Sequence, residues 1–414
     1  MKSIPAALDA ILAAFAPLGS ERVGLHDAQG RVLSESLCAR FDMPSFNNSA
    51  MDGYAVRSEE VAGASAESPV WLPLAGESKA GDAPPAELTP GHVLRIFTGA
   101  PMPPGADAVV MQEDTQREGE RVGIQLAPTP ARHVRRRGGD LAAGQEILTA
   151  GTRLGPGELG LLASQQHAQV SVARRPRVAL LSTGDELRDV SDPLAPGQIV
   201  NSNAYALAAQ VREAGGEPWI LPIVPDRLEE TVSAVRAALR ADLLVSIGGV
   251  SVGEYDFVRD AFAEAGVEQQ FWKIAIKPGK PLSFGVREGV PVIGLPGNPV
   301  SAMVTFEVFV RPAIRRMLGD PRPFRASGRV RLAEAHTHRP GRTELARATL
   351  ERGPEGFLAH LHSRQGSGSL PSMVGVEALV VLPTDQGEFE AGEVLTALLL
   401  HDTRGSEASA FGSA

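Results

Sequence analysis

The sequence predicts a multidomain α/β plus β protein, and three observations lead to this fold class. At about 150 residues per domain, a chain of 414 residues has room for two to four domains. Between Arg177 and Gly319, short apolar runs alternate with helical patterns, which predicts a mostly parallel three-layer sheet with helices on both faces. On either side of that region, short alternating runs lie between turns rich in glycine, proline and aspartate, as in β-rich units.

The composition argues against several classes of protein. Lysine and arginine number 40 against 49 aspartates and glutamates, and the net charge of −9 argues against a general nucleic-acid coat. The single cysteine, Cys38, cannot form an internal disulfide and leaves too few thiols for a zinc ribbon or an iron–sulfur cluster. No run of about 18 apolar residues occurs, so no membrane contact is expected and a cytoplasmic protein is predicted.

The first part of the chain combines helical and β-rich patterns. Apolar residues at helical spacing between Ile4 and Leu18, with Ser3 as a cap, predict an amphipathic helix, and a secretory signal is the alternative. A second helix is predicted over Gly157 to Ser164. The apolar runs between the two helices are Val32-Leu33, Val93 to Phe97, Ala108 to Met111 and Val122 to Leu126. A β-rich module inserted into a helical one would explain this order.

The α/β region and the C-terminal region have different patterns. The strands predicted in the α/β region are Val178 to Ser182, Trp219 to Val224, Leu243 to Ile247, Phe271 to Ile276 and Val292 to Leu295. The helices predicted there are Ala204 to Val211 ending at Gly215-Gly216, one around Val232 to Leu239, Val258 to Ala265, and a long one from Pro299 towards Leu318. From about Arg325 to Leu400 only short strands and turns follow, which predicts a small β-barrel or sandwich.

Four predicted strands end in turns rich in glycine and polar residues, at the edge where parallel sheets bind ligands. These turns are Thr183-Gly184-Asp185-Glu186, Pro225-Asp226, Gly248 to Asp256 and Pro296 to Ser301. Asn298 and Pro299 suit the start of a helix, whose N–H groups form a phosphate site. Glu186, Asp226 and Asp256 could converge on Mg²⁺, although a lone aspartate such as Asp226 is commonly a helix cap.

Further charged groups are candidates for an anionic ligand. In a straight strand, Lys273 and Lys277 would lie on one face with their ammonium groups roughly 13 Å apart, where they could address two anionic groups; an edge strand protected by lysines is the alternative. The run Arg135-Arg136-Arg137 could bind an oxyanion or be a solvated charge run. Asp52-Gly53 alone favours a turn, and Thr98-Gly99-Ala100-Pro101 follows a strand. The histidines show no metal-ligand spacing, and His336 and His338 are expected at the surface.

Seven motifs, in the same order along nearly the whole chain, resemble those of the molybdopterin molybdenumtransferase family, to which the gephyrin E domain is related. They are Asn47 to Ala55, Thr98 to Pro101, Arg135 to Gly138, Ser182 to Glu186, Gly248 to Gly253, Lys277 to Pro281 and Leu295 to Ser301. The resemblance implies insertion of molybdenum from molybdate into adenylated molybdopterin, with release of AMP, in a Mg²⁺-dependent homodimer. It also makes the molybdopterin adenylyltransferase and other cofactor-synthesis proteins possible partners.

The resemblance implies a division of the chain into domains. A helical linker and dimerisation module comprises 1–45 and 141–173, and it carries an inserted β-rich domain over 46–140. The molybdopterin-binding α/β domain covers 174–320, the C-terminal β-barrel covers 325–402, and 403–414 is a disordered tail. The cleft would be shared between the subunits of the dimer.

The resemblance also assigns roles to individual residues. The catalytic group is Asp52, Thr98, Arg135, Asp140, Lys273 and Lys277. The substrate and phosphate group is Thr183, Gly184, Gly248, Gly249, Ser251, Lys280, Pro296, Gly297, Asn298 and Pro299. Molybdate would meet Ser301, Arg347 and Ser367, and Mg²⁺ would meet Glu186, Asp226 and Asp256.

The chain departs from the family pattern at three positions, and two other functions stay open. Gly139, Asn201 and Arg227 stand where acidic residues are common, which bears on the metal coordination. A molybdopterin adenylyltransferase would consume ATP, but it does not need the Asp52 and Arg135 motifs. A non-catalytic scaffold would bind peptides without turnover.

Overall fold

The computed structural model describes residues 1–249, 257–353 and 356–400, which pack as two units. The first unit comprises residues 1–34, 151–155 and the chain from 169 onward, and the second comprises 35–150 and 156–168. The first unit contains an α/β sheet and a β-barrel, and the second contains a mixed sheet. This confirms the predicted fold class. The boundaries of the predicted domains stay a prediction.

The α/β sheet has six strands, of which four pair in parallel and the last two are added at one edge by antiparallel pairing. In order across the sheet they are Glu217–Ile220, Arg177–Ser182, Leu243–Ile247, Val290–Leu295, Ser283–Arg287 and Glu268–Phe271. Because the four parallel strands run in one direction, their carboxyl ends meet at one edge of the sheet.

Helices cover both faces of this sheet because neighbouring residues of a strand point to opposite sides. Leu180 packs in one core with Leu207, and Leu181 packs in the other with Val235. The helices of the first unit are Ile4–Ala13, Ser202–Ala214, Leu228–Ala238, Phe257–Glu264, Pro299–Thr305, the π-helical turn Phe306–Val310, and Arg311–Met317. The predicted N-terminal helix is confirmed, and Ser3 Oγ accepts a hydrogen bond from the Ala6 N–H at 3.4 Å.

Two predicted strands differ from the structure. The strand predicted over Trp219 to Val224 is Glu217–Ile220, and Val224 makes only an isolated bridge to Thr183. The strand predicted over Phe271 to Ile276 is interrupted, because its two ends belong to different sheets. Glu268–Phe271 pairs within the α/β sheet, whereas Ile276–Lys277 pairs with the barrel. Lys273 and Lys277 therefore do not share a strand, and the straight strand from which their spacing was predicted is not formed.

The barrel is closed by five strands, so the C-terminal region is a barrel rather than a sandwich. Around the barrel the strands are Thr343–Gly353, Gly356–Leu361, Ser327–Leu332, Val394–Leu399 and Ala378–Leu382, and the last pairs with the first. Closure leaves no free edge within this ring. The predicted disordered tail, 403–414, lies outside the described residues.

The second unit is built on a six-stranded mixed sheet and the helix Pro156–Ser164. In order the strands are Ala108–Met111, Gly53–Val56, Val93–Ile96, Val70–Ser78, Arg121–Ile124 and Thr115–Glu118. Gly53 begins a strand of this sheet instead of standing in an isolated turn. A Cβ at Gly53 would lie 2.0 Å from the Val110 carbonyl oxygen, so the close approach of the two strands requires glycine here.

Short two-stranded pairs complete both units. They are Ser20–Gly24 with Gln169–Ala173, Leu37–Cys38 with Glu146–Leu148, Asn48–Ser49 with Val134–Arg135, Leu187–Arg188 with Ile199–Val200, and His336–Thr337 with Glu388–Phe389. Short 3₁₀ turns lie at Leu25–Asp27, Ser58–Val61, Gln112–Asp114 and Leu370–Met373. Among the described helices, none has both the length and the apolar character needed to cross a bilayer.

Gly53→Ala is expected to destabilise the second unit, because the added Cβ would press on a backbone oxygen that is fixed by strand pairing. The free energy of unfolding should fall by about 1–3 kcal/mol, as for other overpacked sites, and urea denaturation measures it. Gly63→Ala is the control, since its Cβ would meet nothing within 4 Å. Equal stability of the two variants would contradict this account.

Candidate functional site

A cavity of about 540 Å³ lies at the carboxyl ends of the parallel strands. The turns that the sequence predicted to meet there do so. The predicted residues that line the cavity are Thr183, Gly184, Glu186, Asp226, Gly248, Gly249, Pro296, Gly297, Asn298, Pro299 and Ser301. This is the edge at which parallel α/β sheets bind ligands. Two other predicted residues, Ser251 and Asp256, lie outside the described residues.

Glycines allow the turns to approach one another across the cavity. A Cβ on Gly297 would lie 3.4 Å from the Gly248 Cα, so the two backbones are nearly in contact. Gly249 has φ +63°, and a Cβ there would lie 2.1 Å from the Val258 Cγ2. Gly184 leaves room for an acid, because its Cβ would lie 2.5 Å from a carboxylate oxygen of Glu186. Side chains at these positions would fill the cavity or push its walls apart.

The carboxylates of Glu186 and Asp226 line this cavity, and a bound cation would offset their negative charge. Burial raises the pKa of Asp226, and the negative charges of Glu186 and Asp185 raise it further. Within residues 1–249, 257–353 and 356–400, no group of three or more His, Cys, Asp or Glu is arranged to hold a metal ion. Two carboxylates nevertheless fit Mg²⁺, which takes one or two protein oxygens together with phosphate oxygens and water.

Arg347 is a buried cation whose hydrogen-bonding capacity is only partly used. Its side chain has no exposed surface, and burial lowers its pKa. Nη2 donates to the carbonyl oxygens of Arg364, at 2.7 Å, and Gly366, at 3.3 Å. Nε and Nη1 are buried and have no hydrogen-bond partner in the part of the chain that the structure describes. Because unpaired buried donors are costly, this arrangement favours an anionic ligand.

The loop that Arg347 contacts also reaches the cavity wall. Ser367 Oγ accepts a hydrogen bond from Asn298 Nδ2 at 3.0 Å, and its carbonyl oxygen accepts one from the Val300 N–H at 3.0 Å. Asn298 precedes the helix as predicted, but its side chain does not cap it. Instead it holds the barrel loop. Contacts through this loop therefore connect Arg347 and Ser367 to the turn that carries Ser301.

The three lysines of the predicted site are separated. Lys277 Nζ donates to Glu344 Oε2 at 2.8 Å, and Lys280 lines another hollow, of about 270 Å³, with Arg339 and Arg342. Lys273 lies between the strands, and its carbonyl oxygen accepts from the Lys2 N–H at 3.1 Å. None of the three belongs to the described lining of the sheet-edge cavity.

In the second unit, Asp52 and Thr98 are in contact. Asp52 Oδ1 accepts from the Thr98 N–H at 2.7 Å and from its hydroxyl at 2.8 Å, and these bonds hold the pKa of Asp52 below its usual value. Arg135 lies on a strand paired with Asn48–Ser49. The turn after Thr98 is hydrogen-bonded to that same short strand. Asp140 is exposed, and its N–H donates to the Met43 carbonyl oxygen at 2.9 Å.

Comparison with known proteins covers nearly the whole chain. Residues 2–165 match the model of the MoeA N-terminal region (domain I and II), 179–316 that of a probable molybdopterin-binding domain, and 329–400 that of the MoeA C-terminal region (domain IV). A molybdopterin molybdenumtransferase of Nostoc is 41% identical over 92% of this chain and 89% of its own length. The chain belongs to the molybdopterin molybdenumtransferase family. The Bacillus subtilis member is 36% identical over 94% of this chain and 91% of its own length.

A solved structure agrees with this assignment. The molybdopterin biosynthesis MoeA protein of Pyrococcus horikoshii superposes with a TM-score of 0.84 at 32% identity, covering 97% of this chain and 99% of that one. The fold described above is therefore the fold of the family over its full length.

Two departures from the family pattern have clear structural roles. Asn201 caps the helix Ser202–Ala214, and its Oδ1 accepts from the Ala204 N–H and from the Ser182 hydroxyl, both at 3.4 Å. The Arg227 side chain is mostly exposed, and its Nη1 lies 3.3 Å from Glu230 Oε1. Neither residue adds a carboxylate to the cavity. Gly139 donates its N–H to the Arg136 carbonyl oxygen.

Residue-by-residue reasoning from the sequence gave no reason to select two groups near Lys277. Glu344 is buried at the ammonium of Lys277, and His338 is buried beside it. The prediction of a surface position for His338 is wrong, because the strand His336–Thr337 ends before it and the ring turns inward to the Gln386 carbonyl oxygen. The alternation of polar and apolar residues gave no signal for this turn.

Thr98→Val is expected to raise the pKa of Asp52, because it removes one of the two hydrogen bonds that favour the ionised carboxylate. Carboxyl ¹³C NMR titration measures this, with the resonance assigned through Asp52→Asn. Ionised Asp52 stabilises the fold above its usual pKa of 3.8, and that stabilisation is lost as the pH falls through the lower folded pKa.

Thr98→Ser is the matched control, since it keeps the hydroxyl donor and should leave the titration unchanged. An unaltered midpoint in Thr98→Val would show that the hydroxyl does not contribute.

Proposed function

We propose that this chain inserts molybdenum from molybdate into adenylated molybdopterin and releases AMP. The observation that carries the proposal is the partly unpaired, buried guanidinium of Arg347, which is connected through one loop to a glycine-lined cavity holding two carboxylates. The first feature suits a small oxyanion, and the second suits a phosphate ester with a divalent cation. A molybdenum insertion reaction needs both. The names of the relatives support the same activity.

We assign different parts of the two substrates to different groups of residues. The turns at Gly248 and Gly297 leave space for the phosphoanhydride, and the helix start at Pro299 directs its positive end toward it. Arg347, Ser301 and Ser367 would hold the oxygens of molybdate, since a guanidinium fork matches an oxyanion. The ammonium group of Lys277 would bind an anionic group of the pterin substrate.

Glu186 and Asp226 would hold Mg²⁺, and Asp256 is proposed as a third ligand. When bound, Mg²⁺ would offset the negative charge that develops on the leaving phosphate. Burial and the negative charge of Glu186 raise the pKa of Asp226, and a bound cation would lower it. No side chain is proposed as a covalent nucleophile. The oxygen that cleaves the phosphoanhydride comes from molybdate or from water.

The proposal also includes a cytoplasmic homodimer. Asp52, Thr98, Arg135 and Asp140 of one subunit would complete the cleft of the other, and a molybdopterin adenylyltransferase would deliver the substrate. In support, these four side chains are all exposed, and Asp52 and Thr98 are preorganised by their mutual hydrogen bonds.

The purified chain is expected to release AMP from adenylated molybdopterin when molybdate and Mg²⁺ are both present, as measured by chromatography of the nucleotide. A chelator should stop the release, and added Mg²⁺ should restore it. Absence of molybdate-stimulated AMP release would refute the proposed function. ATP-dependent formation of adenylated molybdopterin would instead indicate an adenylyltransferase.

Arg347→Lys in the same assay should raise the molybdate concentration needed for half-maximal release by about tenfold or more, because lysine keeps the charge but loses the guanidinium fork. Arg352→Lys is the control, since Arg352 lies on the same strand but is exposed. An equal effect of both substitutions would show that Arg347 has no specific role in binding molybdate.

The shared cleft is tested by mixing two inactive variants. Asp52→Asn and Asp226→Asn, co-expressed or exchanged between dimers, should regain part of the activity, because a mixed dimer has one cleft with both acids intact. Variants mixed without exchange of subunits are the control. No recovery in proven mixed dimers would place both acids in the cleft of a single subunit.

A further inference from the structure

A buried acid outside the predicted site holds one of the predicted catalytic lysines. The Lys277 ammonium donates to Glu344 Oε2 at 2.8 Å. The Glu344 side chain is 3% exposed, whereas that of Lys277 is 39% exposed. The buried carboxylate is thus the fixed member of the pair, and the lysine extends from it toward solvent.

The backbone already sets these two residues opposite each other. Ile276–Lys277 and Thr343–Gly353 are paired as parallel strands, with Lys277 in register with Glu344. Glu344 is also paired with Leu382 on the other side, inside the closed barrel. The position of the carboxylate is therefore determined by strand pairing within the barrel.

The His338 ring lies beside the carboxylate. Its Nε2 lies 2.8 Å from the Gln386 carbonyl oxygen and 3.1 Å from that of Pro383, so this nitrogen carries a hydrogen and the ring is fixed. Its Nδ1 lies 3.2 Å from the same Glu344 oxygen that Lys277 contacts. The ring also packs on Phe389, with the centroids 5.6 Å apart. One carboxylate oxygen thus contacts both a fixed ring and the ammonium group.

The strand that carries Glu344 also carries Arg347 three residues later. Burying a carboxylate costs folding free energy unless it is paired, so the presence of Glu344 inside the barrel calls for an explanation. Without it, the ammonium of Lys277 would be free to sample the solvent-exposed rotamers of a long side chain. With it, Lys277 and Arg347 are both held by a single strand of the barrel.

We propose that Glu344 is a positioning residue for the reaction: it orients the Lys277 ammonium for an anionic group of the substrate and acts through that lysine alone. This inference rests on the proposed function. It assigns to Glu344 a role that differs from a stabilising ion pair, because its effect on catalysis should vanish when Lys277 is absent.

The contact itself is tested without any turnover. Reductive methylation of lysine amines, followed by peptide mass spectrometry, reports how freely each ammonium group can react. Glu344→Gln should speed the labelling of Lys277 by about tenfold, the equivalent of one charge-assisted hydrogen bond. Lys280, which lies in a different hollow, is the internal reference and should keep its rate. Unchanged labelling of Lys277 would overturn the proposal.

The catalytic role is tested by a double-mutant cycle in the AMP-release assay. Glu344→Gln should lower kcat/KM for adenylated molybdopterin by about tenfold or more. Lys277→Ala should lower it at least as much, and the double variant should be no worse than Lys277→Ala alone. Glu351→Gln is the matched control: Glu351 is on the same strand and also contacts a histidine, His360 at 2.9 Å, but is 66% exposed.

The outcomes distinguish a positioning role of Glu344 from a role in stability alone. Multiplicative losses in the double variant would show that Glu344 acts on stability or through another group, and would overturn the positioning role. A thermal unfolding scan of each variant measures its Tm and shows whether a loss of activity is caused by a loss of stability. If the unmodified chain releases no AMP, the proposed function fails, while the labelling result still decides whether Glu344 holds Lys277.

Discussion

The close approach of the Gly248 and Gly297 backbones is the constraint on which the cavity depends. Parallel strands bring their carboxyl ends to one edge, but they do not bring the following turns into contact. The Gly248 backbone has φ +84°, which favours glycine, and a Cβ on Gly297 would lie in van der Waals contact with the Gly248 Cα at 3.4 Å. Glu186, Asp226 and the start of the helix Pro299–Thr305 line the same cavity.

The barrel places buried charges near a cavity whose walls belong to the α/β sheet. Its loop at Ser367 is tied to Asn298 and Val300, and its strand Thr343–Gly353 supplies Arg347 and Glu344. The two buried charges of this strand have different partners: Glu344 accepts from the Lys277 ammonium, and Arg347 donates to the carbonyl oxygens of Arg364 and Gly366. One strand of the barrel thus sets the positions of two cationic side chains.

Much of this arrangement was predictable from periodicity and turn chemistry, and some of it was not. The strand Leu243–Ile247 and the turns at Glu186, Asp226 and Asn298 were predictable because the signal for each lies within a single strand or turn of the sequence. Lys273 could not be placed, because the chain leaves one sheet for another within four residues, and no local pattern records this. Arg347 likewise depends on burial by a loop that is distant in the sequence.

Asn298 shows how the site and the stability of the fold are linked. Its amide donates to Ser367 instead of accepting from the first turn of its own helix. The first N–H of that helix is instead satisfied by the barrel loop, because the Val300 N–H donates to the Ser367 carbonyl oxygen at 3.0 Å, and a cap is typically worth about 1 kcal/mol. A substitution that moves this loop would therefore remove the first hydrogen bond of the helix as well as the contact between sheet and barrel. The start of the helix and the junction of the two substructures thus depend on the same serine.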